Sequence, residues 1–326
     1  MYRLCFSFLL GFALLAFPAQ GQDDLGAALE AVGGQYAKGY TQPVTDALGA
    51  NLNAGLFRTA EVGDEGVIPV IDVYVGVAAM GALTRGSSRS FAPQDETVTT
   101  EGGRTLQIDY EPDRVPTALG EETSPGEAII SDQNPTTPNE TATLPRGLLN
   151  TSIAPLAVPQ VGVGTVFGTD AQARYLPETT IRGYASVSLI GLSVRHSLSQ
   201  HVPDAPLNVA VQGTWQSLAL SGSGESRNAG EILDASGWAL SAQASKDIPV
   251  LPITFYGGVQ YEQFGVEVNY TFKANGETST ISFAQGATGN VRALAGARVT
   301  LALIELNVDY ALGSVNTVSA GVGLAL

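Results

Sequence analysis

The chain has 326 residues, of which 44% are hydrophobic and 14% charged, with 16 Lys plus Arg against 31 Asp plus Glu and a formal charge of −15. That acidic balance offers no basic face to a polyanion and excludes nucleic acid as a partner. Cys5 is the single cysteine, so disulfide frameworks and thiolate metal sites are excluded too, and no apolar run after the first residues is long enough for a helical membrane span.

The N-terminus reads as an export signal over residues 1–21. Arg3 gives a positive start, Leu4 to Phe17 is almost wholly apolar, and Ala19-Gln20-Gly21 supplies small residues for cleavage. Residues 22–50 form a short helical or plug segment. Leu25, Ala28, Leu29 and Val32 recur at helical spacing before Gly33-Gly34 interrupts, and a second short helix can run from Pro43 to Leu48. Such a segment can cap or plug a following domain, or simply lead into it.

Residues 51–326 read as all-β. Asn51 to Ala60 is a first candidate strand, and Val67 to Ala79 is dense in β-branched residues. Residues 93–159 differ in kind, holding nine of the 17 prolines and eleven Asp or Glu. Proline removes ladder donors, so this is a long acidic insert, ordered in part around Thr105 to Tyr110 and excluded from central strands.

After Pro159 the chain alternates with period two. Val209, Val211, Gly213 and Trp215 face Asn208, Gln212, Thr214 and Gln216, and Trp238, Leu240 and Ala242 face Ser241 and Gln243. The pattern repeats to Leu326. Lipid offers backbone groups no hydrogen-bond partner, so a chain that crosses it as strands must close its sheet and alternate side chains between hydrocarbon and lumen. These runs predict a transmembrane antiparallel β-barrel of 12–14 strands; bacterial barrels take even numbers, and 14 is favoured with 12 next. A soluble sandwich alternates as well, but its outer face is usually rich in Lys and Glu, whereas the polar face here is mostly Ser, Thr, Gln and Asn.

Several strings resemble bacterial outer-membrane proteins related to the FadL-like transporters of hydrophobic compounds. They are Tyr40-Thr41-Gln42-Pro43, the stretch Leu48 to Gly55, Arg174-Tyr175-Leu176-Pro177, and Gly191 to Gln200. The resemblance implies a bacterial outer-membrane barrel of 14 strands, partly occluded by N-terminal residues, that passes small hydrophobic or amphipathic solutes. Outer-membrane lipid and such a solute are then the expected partners.

Arg182, Tyr184, Glu262, Glu267, Arg292, Arg298 and Asp309 fall on polar faces and are the candidate lumen lining, either bordering a channel or pairing with one another. Trp215, Trp238, Tyr261 and Phe272 are candidates for interfacial girdles. His196 and His201 lie five apart, which puts them on opposite faces of one strand, and with so few ligands no metal site is expected. No nucleophile–base motif is present, so neither catalysis nor a cofactor is expected. The expectation is a channel or transporter. A non-conducting interaction barrel and a secreted binding sandwich are the alternatives.

Overall fold

The computed structural model describes residues 19–62, 71–99, 105–121, 126–132, 139–181, 185–202, 205–222, 231–274 and 277–325. In chain order they form helix α1 (Ala19–Leu52) and strands β1 (Ile71–Leu83), β2 (Ser90–Phe91), β3 (Glu96–Thr99), β4 (Thr105–Glu111), β5 (Val115–Pro116), β6 (Glu127–Asp132), β7 (Glu140–Thr143) and β8 (Ile153–Thr165). There follow β9 (Thr169–Ile181), β10 (Ala185–Ser197), β11 (Asn208–Gly222), β12 (Glu231–Asp247), β13 (Ile253–Ala274), β14 (Glu277–Gly286), β15 (Val291–Leu301), β16 (Ile304–Leu312) and β17 (Asn316–Ala325). Most of the signal expected over 1–21 lies outside the described residues.

The wall is antiparallel and closed. Its order is β1-β8-β9-β10-β11-β12-β13-β15-β16-β17, and β17 returns to β1 through ten paired residues, Tyr74 with Ala325 to Leu83 with Asn316. β14 is an eleventh strand of the sheet but pairs only with the upper part of β13, from Gly265 to Ala274. Closure removes the edges that an open sheet would expose to lipid. The fold is that of an outer-membrane β-barrel.

Ten strands close the wall, not the 12–14 expected. Asn51 to Ala60 is not a strand, and Thr105 to Tyr110 belongs to a separate sheet. Ile253 to Tyr261 and Val266 to Phe272, which alternate as two separate runs in the sequence, are one strand, β13, while the end of the run Ile181 to Leu189 and most of the run Leu192 to Ser199 share β10. The splits arose because apolar residues change face part-way along. In β13, Phe255, Val259 and Tyr261 are exposed on the outer wall, and from Phe264 the apolar side chains Phe264 and Val266 are buried inside. β10 does the same between outward Leu192 and inward Leu189.

The outward stretch of each wall strand carries the lipid face, as with Leu306, Val308, Tyr310 and Leu312 in β16, all more than 40% exposed. Trp238 and Tyr261 meet on that wall with ring centroids 5.6 Å apart, and Trp215 pairs across from Trp238. They sit at the level where the apolar residues change face, the position an interfacial girdle would take. The side chain of Phe272 is outside the described ones.

One rim carries residues 71 and 325 and the connections 166–168, 198–207, 248–252 and 302–303. The opposite rim carries the large connection 84–152, which folds as a cap of two small sheets, β2-β5 and β3-β4-β6-β7. The acidic insert therefore ends before 159. Pro155 and Pro159 sit in wall strand β8, against the expectation that proline bars such strands. Both lie where β8 pairs with β1 alone, because β9 joins it only from Gln160 onward, and an unpaired edge asks nothing of the missing N–H.

α1 is one continuous helix through Gly33-Gly34 and Pro43, not two short pieces. Packing supplies what propensity lacks. Its upper part builds the cap core: Tyr36 stacks on Tyr110 at 5.9 Å and tilts against Phe91 at 5.3 Å, and the Tyr40 hydroxyl donates to the Arg146 carbonyl at 2.7 Å. Burial raises both phenol pKa values well above the usual range. Its lower end enters the barrel, where Leu48 and Leu52 pack on Met80, Leu189, Leu218 and Phe264. Gly49 lets the helix lie on Phe264, whose ring a Cβ would meet at 2.7 Å.

Candidate functional site: a lumen filled by its own chain

Below Leu52 the chain leaves the helix but not the barrel. Every residue from Ala47 to Ala60 is buried. A helix end leaves carbonyls without partners, and an irregular buried segment leaves more. Here the wall supplies them. Arg292 Nη1 donates to the Ala50 carbonyl at 3.0 Å, Arg174 Nη1 to the Leu52 carbonyl at 3.1 Å, and Gln260 Nε2 to the Asn53 carbonyl at 3.1 Å. Arg174 Nη2 also reaches the Gly55 carbonyl, and Arg195 Nη1 the Thr59 carbonyl. Cations at the negative end of the α1 dipole are favourable in their own right. Gly55, with φ of +62°, makes the turn that brings its carbonyl to Arg174.

Ion pairs hold most of the lumenal charges, Arg174 being met by carbonyls and an amide instead. Glu305 lies between two guanidinium groups, taking Arg298 Nη1 at 3.0 Å on one oxygen and Arg58 Nη1 on the other, while Arg298 Nη2 donates to Thr254 Oγ1 at 3.1 Å. Arg58 comes from the plug itself and also lies 3.5 Å above the centroid of the Tyr74 ring, within cation–π range. Gly323 makes room for that ring, since a Cβ there would meet the Tyr74 hydroxyl at 2.6 Å. Higher up, Arg292 pairs with Glu262 at 2.8 Å, and Gln260 donates to the same carboxylate at 2.6 Å. Arg195 pairs with Asp170, and the Tyr256 hydroxyl donates to Asp309 at 3.1 Å.

Of the residues expected to line a lumen, Glu262, Arg292, Arg298 and Asp309 are inside the barrel and buried. Arg182 and Tyr184 lie outside the described residues. Glu267 is corrected: it is exposed on the outward side of β13. Side chains alternate, and the buried positions there are Glu262, Phe264 and Val266. The lumen is also not polar throughout, because its upper level is lined by Leu156, Val158, Leu176, Val187, Leu189 and Leu220. Arg58, Asp170, Arg174, Arg195 and Glu305 were not singled out from sequence. Glu305, between outward Ile304 and Leu306, carried the same period-two signal as those that were.

His196 and His201 are not on opposite faces. β10 ends at Ser197, a 3₁₀ turn over Ser199–His201 folds back, and the two Nε2 atoms lie 3.3 Å apart at the rim. Among the described residues no group of three or more His, Cys, Asp or Glu could hold a metal.

The fit of plug to wall is close. The cavity left beside Leu56, Arg58, Asp72, Gln172 and Arg195 measures about 10 Å³, room for about one water.

Among solved structures, the chain is similar to the attachment invasion locus protein Ail of Yersinia pestis, at 15% identity over 49% of this chain and 94% of that one, with a TM-score of 0.25. The translocator domain of the autotransporter NalP from Neisseria meningitidis matches at 12% identity over 94% and 99%, with a TM-score of 0.28. The outer membrane protease OmpT of Escherichia coli matches at 8% identity over 82% and 100%, with a TM-score of 0.30. No curated protein matches in sequence. A family model does match, over residues 1–326, and the chain therefore belongs to the family of unknown function DUF6588.

Proposed function

We propose that this is a bacterial outer-membrane barrel, exported by a signal over residues 1–21, that is closed to solutes at rest and presents its acidic cap at the outer face. It acts there as an interaction or structural barrel, without catalysis. The observation that carries this reading is the filled lumen: Ala47 to Ala60 are all buried, and wall side chains hold the plug backbone at Ala50, Leu52, Asn53, Gly55 and Thr59. Short connections at the rim carrying both wall ends, with the long one opposite, support a cap that faces outward. The cap region 84–152 has eleven Asp or Glu against five Arg, which favours a cationic partner over an anionic one.

Planar-bilayer recordings of the purified full chain test this. The expected result is no steady conductance; a large steady conductance in the unmodified protein would falsify the closed reading. A second reading is passage of a small hydrophobic solute, as the FadL-like resemblance implies. The apolar upper lumen favours it, although the wall has ten strands and not fourteen. Uptake of a fluorescent fatty acid into liposomes that depends on the protein would support this second reading over the first.

A further inference from the structure

The plug has a direction, and the wall fixes it. Reading downward from the cap rim, Thr41 and Asp46 meet the β14 end and the connection after it at Gln285 and Thr288, and Ala50 meets Arg292 at the top of β15. Leu52 then meets Arg174, and Arg58 and Thr59 meet Glu305 and Ser245 near the opposite rim, where the chain leaves for β1. Burial follows the same course. Gln35 and Lys38 are exposed, residues 41–44 and 46 are half-buried, residues 47–60 are buried, and Glu61 is half-buried again. From Tyr36 to Leu52 the helix rises about 24 Å, so the chain passes through the lumen once and from the cap inward.

We infer that the barrel carries its own N-terminal segment through the membrane, so that whatever precedes Tyr36 in the mature chain stands at the outer face beside the cap, opposite both ends of the wall. The inference rests on the proposed outward orientation of the cap. α1 continues upward from Gln35, and residues 22–35 add about 21 Å of helix on that side.

Single-cysteine variants test this in a Cys5→Ala background, which leaves no other thiol. Asp24→Cys, Gln35→Cys, Asp113→Cys in the cap and Val250→Cys in a rim turn are exposed to a membrane-impermeant biotin maleimide in intact cells, before and after permeabilising the outer membrane. Retention of the heat-dependent gel shift shows that each variant is folded. Labelling of positions 24, 35 and 113 in intact cells at least tenfold above the cysteine-free chain, with 250 labelled only after permeabilisation, is the expected result. If 113 labels in intact cells while 24 or 35 does not, the plug is not threaded and the inference fails, although the outward cap stands. The inverse pattern, with 250 alone reached from outside, overturns the orientation and the inference with it.

Discussion

Arg174 is fully buried and divides its donors between two plug carbonyls, Leu52 and Gly55, and the side chain of Gln160 at 3.3 Å. That use depends on the planar fork of a guanidinium, because one ammonium cannot serve carbonyls three residues apart with the same geometry. Arg174→Lys is therefore expected to lower unfolding free energy by about 1–3 kcal/mol, the cost of leaving a buried acceptor unmet. Urea titration of the barrel refolded into lipid vesicles measures it, and an unchanged midpoint would mean the carbonyls find other donors. Glu305 works differently: as the shared acceptor of Arg58 and Arg298 it ties the plug to the wall through charge. Glu305 was legible as a polar position in an alternating strand, whereas Arg174 stood out only within the string Arg174-Tyr175-Leu176-Pro177. Their common target was not, because nothing in local periodicity says that Asn51 to Ala60 would lie in the lumen instead of pairing as a strand.

At the scale of the element, the instructive strands are those whose apolar face changes. In β11, Val211 and Trp215 face outward, while Leu218 and Leu220 face inward. The change has one physical cause. Within the membrane the solvent outside is hydrocarbon; above it the outside is water and the inside holds an apolar helix end. A period-two reading meets that change as an interruption and places a turn there, which splits β10 and β13 in two. The flip makes a paired prediction. Val308→Arg, midway along the lipid face of β16, is expected to destabilise by about 2–4 kcal/mol, whereas Ala219→Arg, outward in β11 beside Asp234 and above the flip, should change stability by about 0–1 kcal/mol. Equal effects in the same vesicle titration would place the membrane boundary elsewhere.

At the scale of the whole molecule, barrel and cap are joined by α1, which contributes Tyr36 and Tyr40 to the cap core and Leu48 and Leu52 to the upper lumen. Sequence made the closed antiparallel wall legible, since lipid imposes alternation strand by strand, whereas residues 22–50 stayed open between a plug, a cap and a lead-in, and the lumen-filling residues 51–60 read as a strand. The cap was legible only as an acidic, proline-rich insert, because its four-stranded sheet is built from strands of four to seven residues, too short for a period to stand out. A closed wall of ten strands stitched through β1 and β17 should survive in detergent until heated. The unboiled chain is expected to run faster on a gel than the boiled one, and identical mobility would count against closure.

The course of the backbone through the barrel also has a mechanical meaning. The same chain that stands beside the cap runs down the axis, leaves at the far rim and becomes β1, which is itself stitched to β17. A load applied to the outer end of α1 is therefore not borne by the cap alone. Tension passes along residues 53–60 and their arginine clamps to the first strand of the wall, placing the outermost part of the protein and the seam that closes it in series, like a cord drawn through the tube it is sewn to.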